Sequence, residues 1–281
     1  MPANDPAPAG TPRAAFGAML RHYRTRAGLT QDQLGALAHV SAKLIGAYEN
    51  GWRVPTRDAT AFLDAVPELG TNGSLTVLWD QFQREMSYQA HPAWFQDWPE
   101  REAAATRLRW FEPTLVPGLL QTPDYARAVL STRFGTTEEE VELRVGARLR
   151  RQEILDREKP PALWVILDEW MLRRPVGGAH VMCEQVERLL TAARRPFIQI
   201  EIIPAGTGTH DGLNGQFIIA DFGDRPSVAY QEAALRGIPV TDPDDIGTLN
   251  VRWDTLKGEA VPRGSSLALL EEAAKSWTSA L

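Results

Sequence analysis

Three short amphipathic segments follow one another between Arg13 and Pro55 with almost no room between them. In the first, Phe16, Leu20, Tyr23 and Ala27 recur at i, i+4, i+7 and i+11, which is one face of a helix. Gly28 stops it, as a residue able to take positive φ just past a helix end. Thr30 is a good N-cap, with Gln33 placed for a capping box. The spacing therefore predicts a second helix from about Gln31 to Ala38 that buries Leu34, Leu37 and Ala38. A turn at His39-Val40 leads to Ser41, a second N-cap, and to a third helix whose inward residues are Leu44 or Ile45, and Tyr48. Asn50-Gly51 ends that helix. Two helices of about two turns each, joined by a tight turn and braced by a longer one, form a helix-turn-helix. Periodicity by itself also fits any small helical bundle.

Charge separates the two readings. From Arg13 to Arg57 seven basic residues (Arg13, Arg21, Arg24, Arg26, Lys43, Arg53, Arg57) stand against Asp32 and Glu49, a net of +5. The whole chain carries −6, so everything else carries −11. A basic module on an acidic body is the electrostatic footprint of a part that meets phosphate.

The order of residues is more specific still. Leu29, Thr30, Gln31, Leu34, Ala38, Val40, Ser41, Ile45, Tyr48, Glu49, Gly51, Arg53 and Pro55 form an ungapped pattern. It resembles the DNA-binding domain of the XRE (lambda-repressor-like) regulators. One departure is His39, where that family usually has Gly in the turn. His at positive φ carries a modest cost and is among the enriched types there. The resemblance implies that the second helix crosses the phosphate backbone while the third lies in the major groove. By matching positions, Gln31 then donates to phosphate and Arg53 grips the backbone, contacts that set register without reading sequence. Base reading falls to Ser41, Ala42, Lys43, Gly46, Ala47 and Asn50. Lys43 can bond guanine O6/N7, and Ala42 or Ala47 either touch a thymine methyl or are plain surface alanines. A set so poor in donors implies modest specificity per half-site. It calls for a homodimer on double-stranded DNA with half-sites about one helical turn apart.

At 281 residues the chain is long enough for about two domains, and 43% hydrophobic residues exclude overall disorder. The single Cys183 excludes a disulfide framework and a Cys-rich zinc site, fits a reducing cytoplasm and is expected as a core thiol. No apolar run reaches membrane-spanning length, and MPANDPAPAGTP lacks the features of a secretory signal. Expected divisions are a flexible arm (1–12), a five-helix DNA-binding domain (13–87), an aromatic- and proline-rich linker (88–99) and a C-terminal domain (100–281). A fourth helix is expected over Arg57–Val66 with Ala59, Phe62, Leu63 and Val66 inward, and a fifth with Leu75, Leu78, Trp79, Phe82 and Met86 on one face.

Beyond the linker, Glu100–Arg109 reads as a charged helix and Trp110–Glu112 as a short strand. Thr122-Pro123 opens a helix, and a capping box at Thr137 opens a long one to about Glu158. Its arginines (Arg144, Arg148, Arg150, Arg151, Arg157) are a solvated or salt-bridged face, or else a second nucleic-acid surface. Strands are expected over 163–167, 197–204, 216–222 and 227–231, with helices over 179–194, 243–257 and 265–278. The fold class is thus multidomain: an all-α five-helix domain, then an α+β domain with a small mixed sheet of about four strands flanked by helices. FEPTLVPGLLQTPDYARAVL, RQEIL, LWVILDEWMLRRPVGG, IQIEIIPAGTGTHDGLNGQF and VAYQEA, spread over Trp110–Trp277, resemble the uncharacterised C-terminal domain of actinobacterial XRE-type, antitoxin-like regulators. That resemblance implies a partner in a small protein encoded by a neighbouring gene, and roles in development or antibiotic production. A small-molecule effector is the other expected partner.

Catalytic chemistry is not expected. No HExxH, Walker A or GxSxG motif occurs, no pair among the five histidines stands at i, i+4, and no cofactor or metal is implied. The glycine-rich 206–215 stretch leads into a strand rather than a helix and reads as a long hairpin loop, not a phosphate cradle. The alternative is an enzyme or ligand-binding protein keeping a vestigial helix-turn-helix, with Asp168, Glu169 and Glu201 as its acidic cluster. A regulator working on DNA in the cytoplasm is the expectation.

Overall fold

The computed structural model describes residues 12–81, 95, 97–233 and 236–281 and divides into two compact units, Met1–Gln89 and Ala90–Leu281. The arm, most of the linker and the positions of Phe82 and Met86 lie outside the described residues.

In the first unit α1 (Pro12–Arg26), α2 (Gln31–Leu37), α3 (Ala42–Glu49), α4 (Arg57–Asp64) and α5 (residues 74–81) surround Leu20, Leu34, Ile45, Tyr48, Leu63, Val66, Leu69 and Leu75. Their ends are set by side chains. Thr30 and Gln33 make the expected reciprocal capping box, Ser41 Oγ accepts from Leu44 N, and Thr56 Oγ1 accepts from Ala59 N. The α5 start is held by Asp64, whose carboxylate accepts from Leu75 N and Thr76 N at 3.1 and 2.8 Å. His39 takes the turn at φ 57°, the left-handed conformation its position required. Two glycines let the helices touch: a Cβ on Gly17 would sit 2.5 Å from Glu49 O, and one on Gly35 2.7 Å from Val40 O. Two inward assignments are corrected. Leu37 is 40% exposed and Phe62 65% exposed. Each lies at the margin of a helix whose buried positions, Leu34 on α2 and Thr60 and Leu63 on α4, already fill the inward stripe.

The second unit is a six-stranded mixed sheet of order β3-β2-β1-β4-β5-β6 with helices on both faces. Its elements are α6 (Trp98–Ala104), β1 (Arg107–Glu112), α7 (Pro123–Leu130), α8 (Glu138–Gln152), β2 (Ala162–Asp168), α9 (Trp170–Arg173), α10 (Ala179–Ala193), β3 (Ile198–Ile203), β4 (Phe217–Asp221), β5 (Val228–Glu232), β6 (Gly237–Val240), α11 (Pro243–Glu259) and α12 (Arg263–Thr278). Strands β1, β2 and β3 run parallel, and β4, β5 and β6 are antiparallel to their neighbours. On one face Leu108, Trp110, Leu163, Val165 and Ile200 pack with residues of α10 and α12, such as Val186, Leu189 and Leu270. On the other, Phe111, Ile166, Phe217 and Ile219 meet Ile246, Leu249, Trp253 and Leu256 of α11.

Several expectations change here. The helix predicted to Arg109 ends at Ala104, and Arg107–Glu112 is a central strand. Its arginines are admitted by Asp221 on the adjacent β4, which accepts from Arg107 Nε at 2.8 Å and from Arg109 Nη2 and Nε at 3.0 and 3.1 Å. Strand β6, with Pro239 in it, was not foreseen; an edge position tolerates the missing N–H. The 206–215 stretch is no hairpin loop, because β2 and β1 lie between β3 and β4 and the connection crosses the sheet end. Helix α8 stops at Gln152; Arg151 takes the salt-bridged alternative, donating to both Glu102 oxygens at 2.9 and 2.7 Å, while Arg148 turns inward and donates from Nη1 to Gln121 Oε1 at 2.6 Å. Cys183 is only half-buried, its Sγ 3.5 Å from Thr278 Oγ1, rather than in the core.

Candidate nucleic-acid interface

On α3, residues 42, 43, 46, 47 and 50 fall at i, i+1, i+4, i+5 and i+8, so a single stripe carries Ala42, Lys43, Gly46, Ala47 and Asn50. Lys43 is exposed, while Ala42, Gly46, Ala47 and Asn50 are half-buried. Ser41, exposed at the helix start, has its oxygen engaged as the N-cap. Arg53 is exposed, and its N–H bonds to Ala47 O at 3.1 Å, so the loop after α3 is held against the helix. Burial pushes the Tyr48 hydroxyl above its ordinary pKa, with the nearby Arg53 charge opposing. Gln31 opens α2 and leans across α3: a Cβ on Gly46 would lie 3.2 Å from Gln31 Oε1. Its Nε2 donates to Glu49 Oε2 at 2.8 Å, which leaves a second N–H on that nitrogen.

The residue that ties these elements together stands in the ungapped pattern, where the sequence assigns it no role. Glu49, 4% exposed, receives Arg24 Nε at 2.5 Å and Arg24 Nη2 at 3.0 Å, a two-pronged pair between α3 and α1. Arg24 Nη1 also donates to Leu29 O at 2.8 Å, and Arg21 Nε lies 3.4 Å from Glu49 Oε2. Desolvation works to raise the Glu49 pKa, but the bonds from Arg24 and Gln31 outweigh it and hold the carboxyl below its usual range. Arg24 moves up, chiefly through its bond to Glu49. One carboxylate thus ties α1, α2 and α3 into one geometry. Charge counting treated Glu49 as a subtraction from a basic module; only its place beneath three helices reveals it as the module's pin. Trp52, 44% exposed beside Arg53, is another surface group the sequence did not single out.

In the second unit the acidic residues do not converge. Asp168 Oδ2 lies 3.0 Å from His210 Nε2, and Asp168 Oδ1 accepts from Trp170 N. Glu169 pairs with Arg173 and accepts from Ala205 N. Glu201 receives Lys257 Nζ and Gln199 Nε2. Among the described residues no three His, Cys, Asp or Glu side chains are grouped to hold a metal. No helix among them is long and apolar enough to cross a membrane.

A basic head with a groove-sized helix, capped at its start and carrying an outer stripe exposed at Lys43 and half-buried elsewhere, is the form of a helix-turn-helix DNA-binding protein. Residues 15–75 match a family model described as a helix-turn-helix domain. Residues 95–272, more than half the chain, match the model described as Domain of unknown function (DUF5753), and the chain belongs to that family. No curated protein and no solved structure matches the chain.

Proposed function

We propose that this is a sequence-specific transcription regulator, related to XRE regulators, that places α3 in the major groove of double-stranded DNA as a homodimer. The observation that carries the reading is the stripe of small and polar residues on α3, which includes Lys43 and is followed by Arg53, on a stretch whose positive charge contrasts with the acidic remainder of the chain. A stripe with one cation and two alanines gives little discrimination per half-site, which favours two heads acting together about one helical turn apart. The α+β unit then acts as the sensor, for a small-molecule effector or for a small protein encoded nearby, and shifts DNA affinity. A non-catalytic sensor is supported by the separate contacts of Asp168, Glu169 and Glu201, which bond to His210, Arg173 and Lys257 respectively.

Genome-wide mapping of the DNA bound by the full chain identifies the target, and variants then test the contacts. Arg53→Ala is expected to weaken binding to all duplexes alike, with a log–log salt slope shallower by about one. Lys43→Ala is expected to cost on the order of tenfold on the mapped operator and much less on unrelated duplex, as loss of a base contact does. Equal losses on both duplexes would remove Lys43 from the base-reading set. Titrating the chain with the neighbouring small protein, with operator affinity as readout, separates a protein partner from a small-molecule effector.

A further inference from the structure

Arg21 was not among the residues the sequence pointed to, yet it touches one of them. Its Nη2 lies 2.6 Å from Asn50 Oδ1, a bond from the middle of α1 to the residue that closes α3. An arginine has only donors, so the Asn50 atom facing it must be the carbonyl oxygen; the orientation of the amide follows from chemistry. The Nδ2 of Asn50 then points away from Arg21 and, among the described residues, makes no hydrogen bond. Asn50 N–H bonds to Gly46 O, so the backbone that carries the amide is fixed as well. Arg21 is itself held from behind, its Nε 3.4 Å from the buried Glu49 carboxylate, while about half of its side chain stays exposed.

We propose that Arg21 is a positioning residue of the DNA interface, which turns the Asn50 amide so that its oxygen faces α1 and its NH2 donates toward the duplex. The proposal rests on the reading of α3 as the groove helix. An unrestrained asparagine presents both an oxygen and an NH2, the pattern that pairs in two-pronged fashion with adenine N6 and N7. With that oxygen turned toward α1 and one of its lone pairs bonded to Arg21, Asn50 presents its NH2 as the free edge. It therefore favours acceptors, either a phosphate oxygen or the O6/N7 edge of guanine, over the two-pronged adenine pattern. Because Arg21 hangs on Glu49, the same carboxylate that orients Gln31 on α2 also orients Asn50 at the end of α3. Two amides on two helices thus take their directions from one buried charge.

The test uses the full-length chain and the duplexes it selects from a randomised pool. Asn50→Asp keeps an acceptor for Arg21 but removes both outward N–H groups and adds a negative charge. It is expected to melt at the wild-type temperature or above and to bind the selected duplex at least tenfold more weakly. In a cycle of Arg21→Met and Asn50→Ala, the double variant is expected to lose about fivefold less affinity than the product of the single losses, since Arg21 acts partly through Asn50. A purely electrostatic or bracing role for Arg21 predicts losses that multiply. Wild-type binding together with an unaffected Asn50→Asp variant, or with strictly multiplying losses, overturns the proposal and leaves the DNA-binding reading standing. A wild-type chain that selects no duplex at all overturns both.

Discussion

Replacing Arg24 by alanine is expected to unfold the N-terminal unit near room temperature. The change leaves the Glu49 carboxylate buried beneath three helices with its two-pronged partner gone. Breaking a buried pair by removing one member costs about 3–5 kcal/mol, because the remaining charge has lost its compensation. Whole domains are stable by only about 5–15 kcal/mol, with small ones toward the low end. Hydrogen exchange reads the outcome directly: the amides of Leu34 and Ile45, at the centre of this core, should lose most of their protection while those of β1 and β2 keep theirs. Retained protection at Leu34 and Ile45 would show that the pair is not what holds the unit. Replacing both partners, with Arg24→Met and Glu49→Leu, should recover much of the loss, since an apolar pair of similar volume removes the orphaned charge. DNA binding should not recover with it, because Gln31 and Arg21 have then lost their anchor. Acid has a related effect. The Glu49 pKa is depressed on folding, so its stabilisation is present above the ordinary carboxylate pKa and is lost as pH falls through the folded value.

The second large effect belongs to the other unit and has the opposite sign. Glu112, at the end of the central strand, is buried, and desolvation drives its pKa from 4.5 up to about 7. Bonds from Thr114 N, Thr114 Oγ1 and Leu115 N to its Oε1 work against this rise, and the nearby Glu232 charge adds to it. A carboxyl whose pKa is higher folded than unfolded stabilises the fold fully below the unfolded pKa. That contribution is lost as pH rises through the folded value. The stability of the α+β unit should therefore fall between about pH 4.5 and 7 by on the order of 3 kcal/mol from this group. Glu112→Gln keeps the acceptor for Thr114 and Leu115 and cannot ionise. Urea midpoints across that pH range should flatten in the variant relative to the wild type. Parallel curves for the two proteins would mean that Glu112 finds a compensating partner when charged.

Local chemistry is where the sequence spoke clearly. The N-caps at Thr30, Ser41, Thr122 and Thr137 form, because a cap needs only a side-chain oxygen and a backbone N–H three residues on. The helix-turn-helix was legible for the same reason, since its period, turn and order of residues are contained in one contiguous stretch. Tertiary structure alone decided what depends on partners far along the chain. The arginines of β1 read as a solvated helix until Asp221, more than a hundred residues later, supplies the charge that admits them to the middle of a sheet. Likewise, 206–215 reads as a hairpin until two parallel strands are found between its ends. Glu49 is the sharpest case. The charge count makes it one acid among bases, and only packing, which excludes water and brings Arg24, Arg21 and Gln31 within bonding range, turns it into the group that joins α1, α2 and α3. Ionic contacts gain their strength from burial, and burial is a property of the assembled fold.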